Sequence, residues 1–278
     1  ANQSGIEIYP NPELKPESGW SAEIGVKQGV KFNNWKGYVD VAGFLMRYED
    51  MMEFTFAQWG PTDPNKLLGL GFKSVNIGKT EISGIELSIT GQGKINKSTT
   101  INLLAGYTYM HHNSLTPNEI YAYGYNHGDT SFNFPNPGDT TILEQPITYN
   151  NSSSDTTKLK YRYNHIAKID AELIYKQASF GVSVRYNDFM KNIDKIFTED
   201  LINNGVPEIN FSGIPGINDA REKFKHGDLI FDVRLGYQLN HIVRVGFVVN
   251  NVFNTEYMSR PANMMPPRTF AAQCNIKL

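Results

Sequence analysis

The chain has one cysteine, Cys274, in 278 residues, so it can form neither an internal disulfide nor a thiolate metal cluster. No run of about 18 apolar residues occurs, which excludes a membrane-spanning helix. The six histidines show no metal-ligand spacing, and neither a GxSxG nor an HExxH pattern is present. Gly78-Lys79-Thr80 imitates the end of a phosphate-binding loop, but Lys73 stands where that pattern needs glycine. The formal net charge of -2 gives no pull on polyanions, so nucleic acid is not an expected partner. Ala1-Asn2-Gln3-Ser4-Gly5 has no basic stretch leading into an apolar one. Any export signal is therefore expected to have been removed or to lie in other sequence. No enzyme, cofactor or metal site is expected.

What the chain does have is alternation. From Asp228 to Leu239, Leu229, Phe231, Val233, Leu235 and Tyr237 occupy every second place, between Asp232, Arg234 and Gln238. Successive side chains on a strand point to opposite faces, so this segment has one apolar and one charged face. Val243, Val245, Phe247 and Val249 repeat the pattern around Arg244, and the last strand sets Phe270, Ala272, Cys274 and Ile276 on one face. Ala167, Ile169, Ala171, Leu173 and Tyr175 alternate with Lys168, Asp170, Glu172 and Lys176. Nine strands are expected, at 20–32, 35–47, 74–90, 100–111, 162–176, 179–190, 227–239, 242–252 and 268–278. Mean hydropathy is -0.40, as in a soluble protein. Strands of a membrane barrel escape that measure, because every second residue is polar.

The connections alternate too. Short ones fall at Asn33-Asn34, Gly91 to Thr99, Gln177-Ala178 and Asn240-His241, and long ones at 48–73, 112–161, 191–226 and 253–267. Loops longer than about 15 residues are unusual in compact domains, whereas outer-membrane barrels join strands by short periplasmic turns and longer extracellular loops. This pattern puts the C-terminus on the periplasmic side. Aromatics on the apolar face then gather at two rims, with Trp20, Tyr107, Tyr109, Tyr186 and Phe270 at the outer one. Phe32, Trp35, Tyr175, Phe180 and Tyr237 fall at the inner one, as interfacial girdles do. An up-and-down barrel with an odd strand count must pair its first and last strands in parallel, whereas bacterial single-chain barrels use even counts, and an open edge in lipid leaves backbone groups unpaired. Either one strand is miscounted or the chain is expected to supply part of a larger barrel.

Several stretches support that expectation by resemblance. Asn11-Pro12-Glu13-Leu14-Lys15-Pro16-Glu17 with Glu23-Ile24-Gly25, Asn76 to Leu87, and Gly106-Tyr107-Thr108-Tyr109 resemble segments of TonB-dependent outer-membrane receptors, in the form common among Bacteroidetes. Leu159-Lys160-Tyr161-Arg162 with His165 is similar to the family's "PYRPxH" strand entry, although Tyr163 replaces its proline. Asn250 to Tyr257 and Pro267-Arg268-Thr269-Phe270 resemble its closing strands. The resemblance implies an all-β, antiparallel up-and-down transmembrane barrel of about 22 strands, with 1–278 as its C-terminal portion and a plug domain and N-terminal strands outside this sequence. It implies energised uptake of a scarce nutrient: an iron–siderophore, haem, cobalamin or an oligosaccharide. Pro266-Pro267-Arg268-Thr269-Phe270 leans that list toward iron or cobalamin complexes. Implied partners are outer-membrane lipid, the protein's own plug and missing strands, TonB through an N-terminal region, and a surface lipoprotein. A structural or adhesive barrel is the alternative.

Two sets of residues stand out as sites. Tyr121, Tyr123, Tyr125 and His127 lie within seven residues in the longest loop. Aromatics on an adaptable polar loop offer wide contact at modest entropic cost, so they are candidate ligand contacts; the alternative is that they pack on neighbouring loops. Arg185, Arg234 and Arg244 fall on the charged face and are expected to meet the plug. Asp170 and Glu172 share that face with Lys168 and Lys176, which reads as a structural charge ladder. His111-His112, adjacent on a strand end, diverge and read as rim residues.

Overall fold

The computed structural model describes residues 7–60, 69–125, 144–198, 217–260 and 263–277. In chain order the strands are β1 (Glu7–Tyr9), β2 (Ser18–Phe32), β3 (Trp35–Glu49), β4 (Met52–Gln58) and β5 (Leu70–Asn76). β6 (Thr80–Asn96), β7 (Thr99–Ser114), β8 (Ile120–Tyr125), β9 (Glu144–Thr148) and β10 (His165–Tyr175) follow. The rest are β11 (Ala178–Asn187), β12 (Asp228–Gln238), β13 (Val243–Asn250), β14 (Met258–Arg260), β15 (Asn263–Met264) and β16 (Thr269–Ile276). Two short helices, α1 (Tyr149–Ser152) and α2 (Ile217–Lys223), lie in the long connections.

Nine of these strands form one sheet in the order β16-β13-β12-β11-β10-β7-β6-β3-β2, the sequence order read backwards. Every neighbouring pair is antiparallel. Nine strands were expected, and eight lie near their expected places; the one expected over 74–90 instead runs over Thr80–Asn96, so the short connection expected over Gly91 to Thr99 is only Lys97-Ser98. The sheet is open, with β2 at one edge and β16 at the other. The register brings like faces together: Ile169 lies opposite Ala105 and Val184, and Leu235 opposite Phe180 and Phe247. Ile24, Leu87, Ile169, Leu173, Leu235 and Phe247 remain exposed on this apolar face, as side chains that meet lipid do. Among the rim aromatics Tyr186 is half-buried, and so is Trp35. The Trp35 ring lies flat on the sheet, where a β-carbon on Gly91 would stand 2.0 Å from it and one on Gly37 2.5 Å.

The strands are unequal. β2, β3, β6 and β7 have 15, 15, 17 and 16 residues, against 8 to 11 for the others in the sheet. Crossing hydrocarbon takes about 9–11 residues, so the first four project beyond the membrane. The projection is at the long-loop end, since β7 runs on to Ser114 while β10 begins opposite Tyr109.

The long connections are built, not merely long. β1, β5 and β4 make a separate three-stranded sheet, in which β1 runs parallel to β5. The expected strand over 74–90 is therefore two strands in two sheets. Between them Gly78 takes φ +83, and a β-carbon there would come within 2.5 Å of Thr116 Oγ1. The expected loop over 48–73 includes β4, and β8 pairs with β9 inside the loop expected over 112–161. Met51, Trp59, Val75, Ile77, Ile82, Tyr149 and Leu159 form a buried cluster, against which Phe44, Met46 and Tyr48 pack. Ile82 and Met46 face each other in the β3–β6 register, on the face opposite the apolar one. The loops thus fold as a head over the charged face of the projecting strands. A second cluster joins Phe56, Leu70, Ile193, Phe197 and Ile217.

Candidate functional site

The charged face is organised by glycines. Arg234 on β12 reaches past β11 to β10, where Nη1 and Nη2 donate to the two carboxylate oxygens of Asp170 at 2.8 and 2.9 Å. A planar guanidinium matches a carboxylate in this two-point way. The route lies over Gly181, whose β-carbon would stand 2.8 Å from Nη2. Ser183 completes the site, donating its hydroxyl to Asp170 and accepting from Arg234 at 2.8 Å. Arg244 crosses Gly236 in the same manner, donates to Ser179 Oγ at 2.9 Å and lies 3.8 Å from Glu172. Arg185 meets Asp232 at 3.1 Å, and Asp232 also accepts the Asn251 backbone N–H. The three candidate arginines are therefore anchored to carboxylates of their own sheet. The ladder expected between Asp170, Glu172, Lys168 and Lys176 is different in detail: arginines two and three strands away hold these acids, and Lys176 lies over the Tyr175 ring.

The head is tied by a buried knot that no local pattern marks. Lys160, 2 % exposed, sits 2.7 Å from Asp194 and 3.8 Å from Glu53, and donates to Ser152 Oγ at 3.2 Å. Its ammonium also lies 5.1 Å from the centre of the Tyr149 ring, and its backbone N–H donates to the Tyr149 hydroxyl. Asp194 accepts from Tyr161 and from the Phe56 backbone N–H as well. Three long connections, those holding Glu53, Lys160 and Asp194, meet here. Burial pushes the Glu53 carboxyl up to about 7, against the pull of Lys160. Burial is the largest influence on Lys160 and works against its charge, but Asp194, Tyr121 and Glu53 together outweigh it and hold the ammonium above its ordinary range. Tyr149 and Tyr161 are pushed upward, first by burial and then by Glu53 and Asp194 respectively.

The tyrosine loop divides. The β8–β9 ladder has an irregularity between Ile120 and Ala122, so Tyr121 is the extra residue there. Bulges re-aim side chains, and Tyr121 turns toward the buried cluster, its hydroxyl 2.8 Å from Ser152 Oγ. Tyr123 is 56 % exposed on the hairpin. Tyr125 closes the ladder opposite Glu144, and His127 lies outside the described residues. His112, expected as a rim residue, is buried under the head, and its Nδ1 accepts the Leu159 N–H at 3.1 Å. Among the described residues no group of His, Cys, Asp and Glu gathers as metal ligands would.

A cleft lies beside the knot. Phe189, Met190, Phe224 and Met258 wall it, with Tyr163 and Arg260 among its polar lining. Arg221 holds α2 against this wall, donating to the Met190 and Lys191 carbonyls at 3.0 Å and stacking on Phe189. Apolar walls with a few placed polar groups are the usual make-up of a ligand site.

The quoted motifs act as clasps. Asn11 donates to the Ser74 carbonyl, Glu17 accepts the Met52 N–H, and Asn76 bonds both backbone groups of Lys15. Asn251 exchanges hydrogen bonds with Thr255, and Asn254 accepts the Arg268 N–H.

Comparison with known proteins fits this architecture. Over 77 residues the chain is 32% identical to the vitamin B12 transporter BtuB of Vibrio vulnificus (strain YJ016), which is 28% of this chain and 10% of that protein. Its fold matches the closed form of the ferric-catecholate import receptor Fiu from K12 E. coli, with TM-score 0.51 and 18% identity over 96% of this chain and 28% of that one. The outer-membrane transporter YddB from Escherichia coli matches with TM-score 0.52 and 13% identity, over 99% of this chain and 34% of that one. The chain thus spans about a third or less of these relatives. The family model for the TonB dependent receptor-like beta-barrel matches residues 1–252, and the chain belongs to that family.

Proposed function

We propose that the protein is an outer-membrane receptor that imports a scarce nutrient, energised through TonB. The observation that carries this reading is the family match over 1–252, on a sheet with an apolar outer and a charged inner face. Its long loops, folded into a head at one end, support ligand capture there. The short turns face the periplasm. The cleft walled by Phe189 and Met258, with Tyr123 and the loop carrying Tyr125 and His127, contacts the ligand, while Tyr121 supports that loop from behind. Arg185, Arg234 and Arg244 face a plug domain supplied by other sequence, and present to it a surface already neutralised by Asp170, Glu172 and Asp232. An iron complex or a cobalamin is the substrate class, a choice that leans on the closing Pro267-Arg268-Thr269-Phe270 segment.

The test is uptake by the full-length protein in a strain lacking its own receptors. Growth on a ferric siderophore or cobalamin as limiting nutrient, lost when TonB is deleted, is the expected result. A protein that reaches the outer membrane and supports no TonB-dependent uptake of either would sink this reading.

A further inference from the structure

One carboxylate in the cleft has no partner. Gly227 takes φ +81 and lies so close to β11 that a β-carbon there would stand 2.4 Å from the Asn187 carbonyl oxygen. This tight turn sets Asp228, the first residue of β12, into the cleft with Phe224 and Met258. Asp228 is only 8 % exposed. Among the described residues no group donates a hydrogen bond to its carboxylate and no cation pairs with it. Buried charges are normally paired or bound to metal, because an unanswered one is costly.

The cations on neighbouring segments are committed elsewhere. Lys223 pairs with Glu256 at 2.7 Å, Lys225 with Glu222 at 2.9 Å, and Arg185 with Asp232 at 3.1 Å. Arg221 lines the same cleft, but its guanidinium donates to two backbone carbonyls and stacks on Phe189. Arg260 is exposed and lies 6.0 Å from the centre of the Tyr161 ring. The other acid of the cleft, Asp188, accepts the Phe189 N–H at 2.7 Å. Among the described residues Asp228 belongs to no cluster that could hold a metal ion. Its partner is then a donor carried in by another molecule.

The walls indicate what that molecule carries. Tyr163 and Phe224 line the cleft with Met258, and aromatic faces attract an ammonium as readily as they take an apolar body. The Tyr163 hydroxyl is pushed above its ordinary range by burial first and by Asp228 next, so the carboxylate is felt at the aromatic wall. A neutral hydroxyl could donate to Asp228 but would leave its charge unbalanced. An ammonium supplies both the hydrogen bond and the opposite charge, and charge-assisted bonds are the stronger kind. An anionic group would be repelled from the same place.

We infer that the cleft takes a ligand bearing a protonated amine on an apolar or aromatic body, with the amine on Asp228 and the body against Phe224 and Met258. The inference rests on the reading of this cleft as a ligand site, and among iron complexes and cobalamins it selects those with a free amine. The test uses two probes of one shape, 2-phenylethylammonium and 2-phenylethanol, titrated into the full-length protein in detergent. Binding is read as slowed hydrogen exchange in 186–190 and 217–228. The ammonium should protect these segments at a concentration about ten-fold lower than the alcohol, as expected for a hydrogen bond to a charged group. Asp228→Asn should bring the two midpoints together while the heat-modified gel mobility stays the same. Equal midpoints in the wild type, which need no variant to read, would overturn the inference. So would a preference that survives Asp228→Asn, or no protection by either probe, as when a group from other sequence already fills the cleft. TonB-dependent uptake without the amine preference would defeat this inference alone, and the preference without uptake would defeat only the transport reading.

Discussion

The nine-stranded sheet and the loop head obey different rules. In the sheet, each residue's surroundings follow from its parity along the strand, and its neighbours come from adjacent strands in sequence order. The head is held by residues far apart in the chain: Asp194 touches the Phe56 backbone 138 positions away, and Lys160 stands between Glu53 and Asp194. The sheet tolerates a wet, charged face because its backbone is bonded whatever that face carries. The head has no such reserve, and its charges are buried. Replacing a side chain should therefore be felt locally in the sheet and across three connections in the head.

Lys160→Ala tests the contrast most severely. It leaves two carboxylates buried without their cation, and breaking a buried pair from one side costs about 3–5 kcal/mol. Hydrogen exchange in 50–60, 149–164 and 188–197 should rise together, while the heat-modified gel mobility of the barrel stays the same. Combining Lys160→Met with Glu53→Gln and Asp194→Asn should restore much of the protection, because no charge is then left unpaired. A barrel that unfolds along with the head would break the comparison.

Val184→Arg attacks the sheet from its apolar face. A cation near mid-membrane should destabilise the barrel by about 2–4 kcal/mol, and less toward the rims. Ser88→Lys, on the exposed charged face, is the matching control and should change little. Ser183 would be a poor control, since its hydroxyl is shared by Asp170 and Arg234. Equal losses on both faces, read from thermal unfolding in detergent, would reverse or abolish the assigned orientation.

Acidity should separate the two regions as well. Glu53 has its folded value raised from 4.5 to about 7, so the folded head binds the proton more tightly than the unfolded chain. This contribution is fully present below pH 4.5 and is lost as pH rises through 7. On the linkage relation it amounts to something on the order of 3 kcal/mol. Protease cleavage of the head connections should accelerate between pH 5 and pH 8, and Glu53→Gln should flatten that dependence. A wild-type profile as flat as the variant's would remove Glu53 from the account.

The smallest expected effect concerns the glycine lanes. Gly181→Ala puts a methyl group 2.8 Å from Arg234 Nη2 and should cost about 1–3 kcal/mol through a displaced Arg234–Asp170 pair. Gly106→Ala, with nothing nearer than 3.9 Å, should be almost neutral. Equal melting temperatures for the two variants would show that the arginine does not need the lane.

How much was legible varies with the range of the interaction. Strand places were, because a period of two is a local property that Asp228 to Leu239 displays by itself. The break at Gly78 was not, since Lys73 to Asn76 reads as strand and only pairing with β4 and β1 assigns it to another sheet. The partners of Arg234 and Arg244 were not legible, because Asp170 and Glu172 lie two and three strands away, whereas Arg185 finds Asp232 on the adjacent strand. Of the tyrosines, the sequence gives no sign that Tyr121 is the extra residue in its ladder. Lys160 stood in a quoted motif, but Glu53 and Asp194, isolated in other connections, carried no signal at all.

The sequence by itself determined the alternating faces and the unequal connections, since both follow from residue order and strand period, and its motifs carried the resemblance to a larger barrel. Only the tertiary structure decided that the long connections form a head, that Lys160 is its buried tie, and that glycine lanes let arginines cross the sheet. Those features depend on distances between residues remote in the chain, and a chain brings such residues together only by folding.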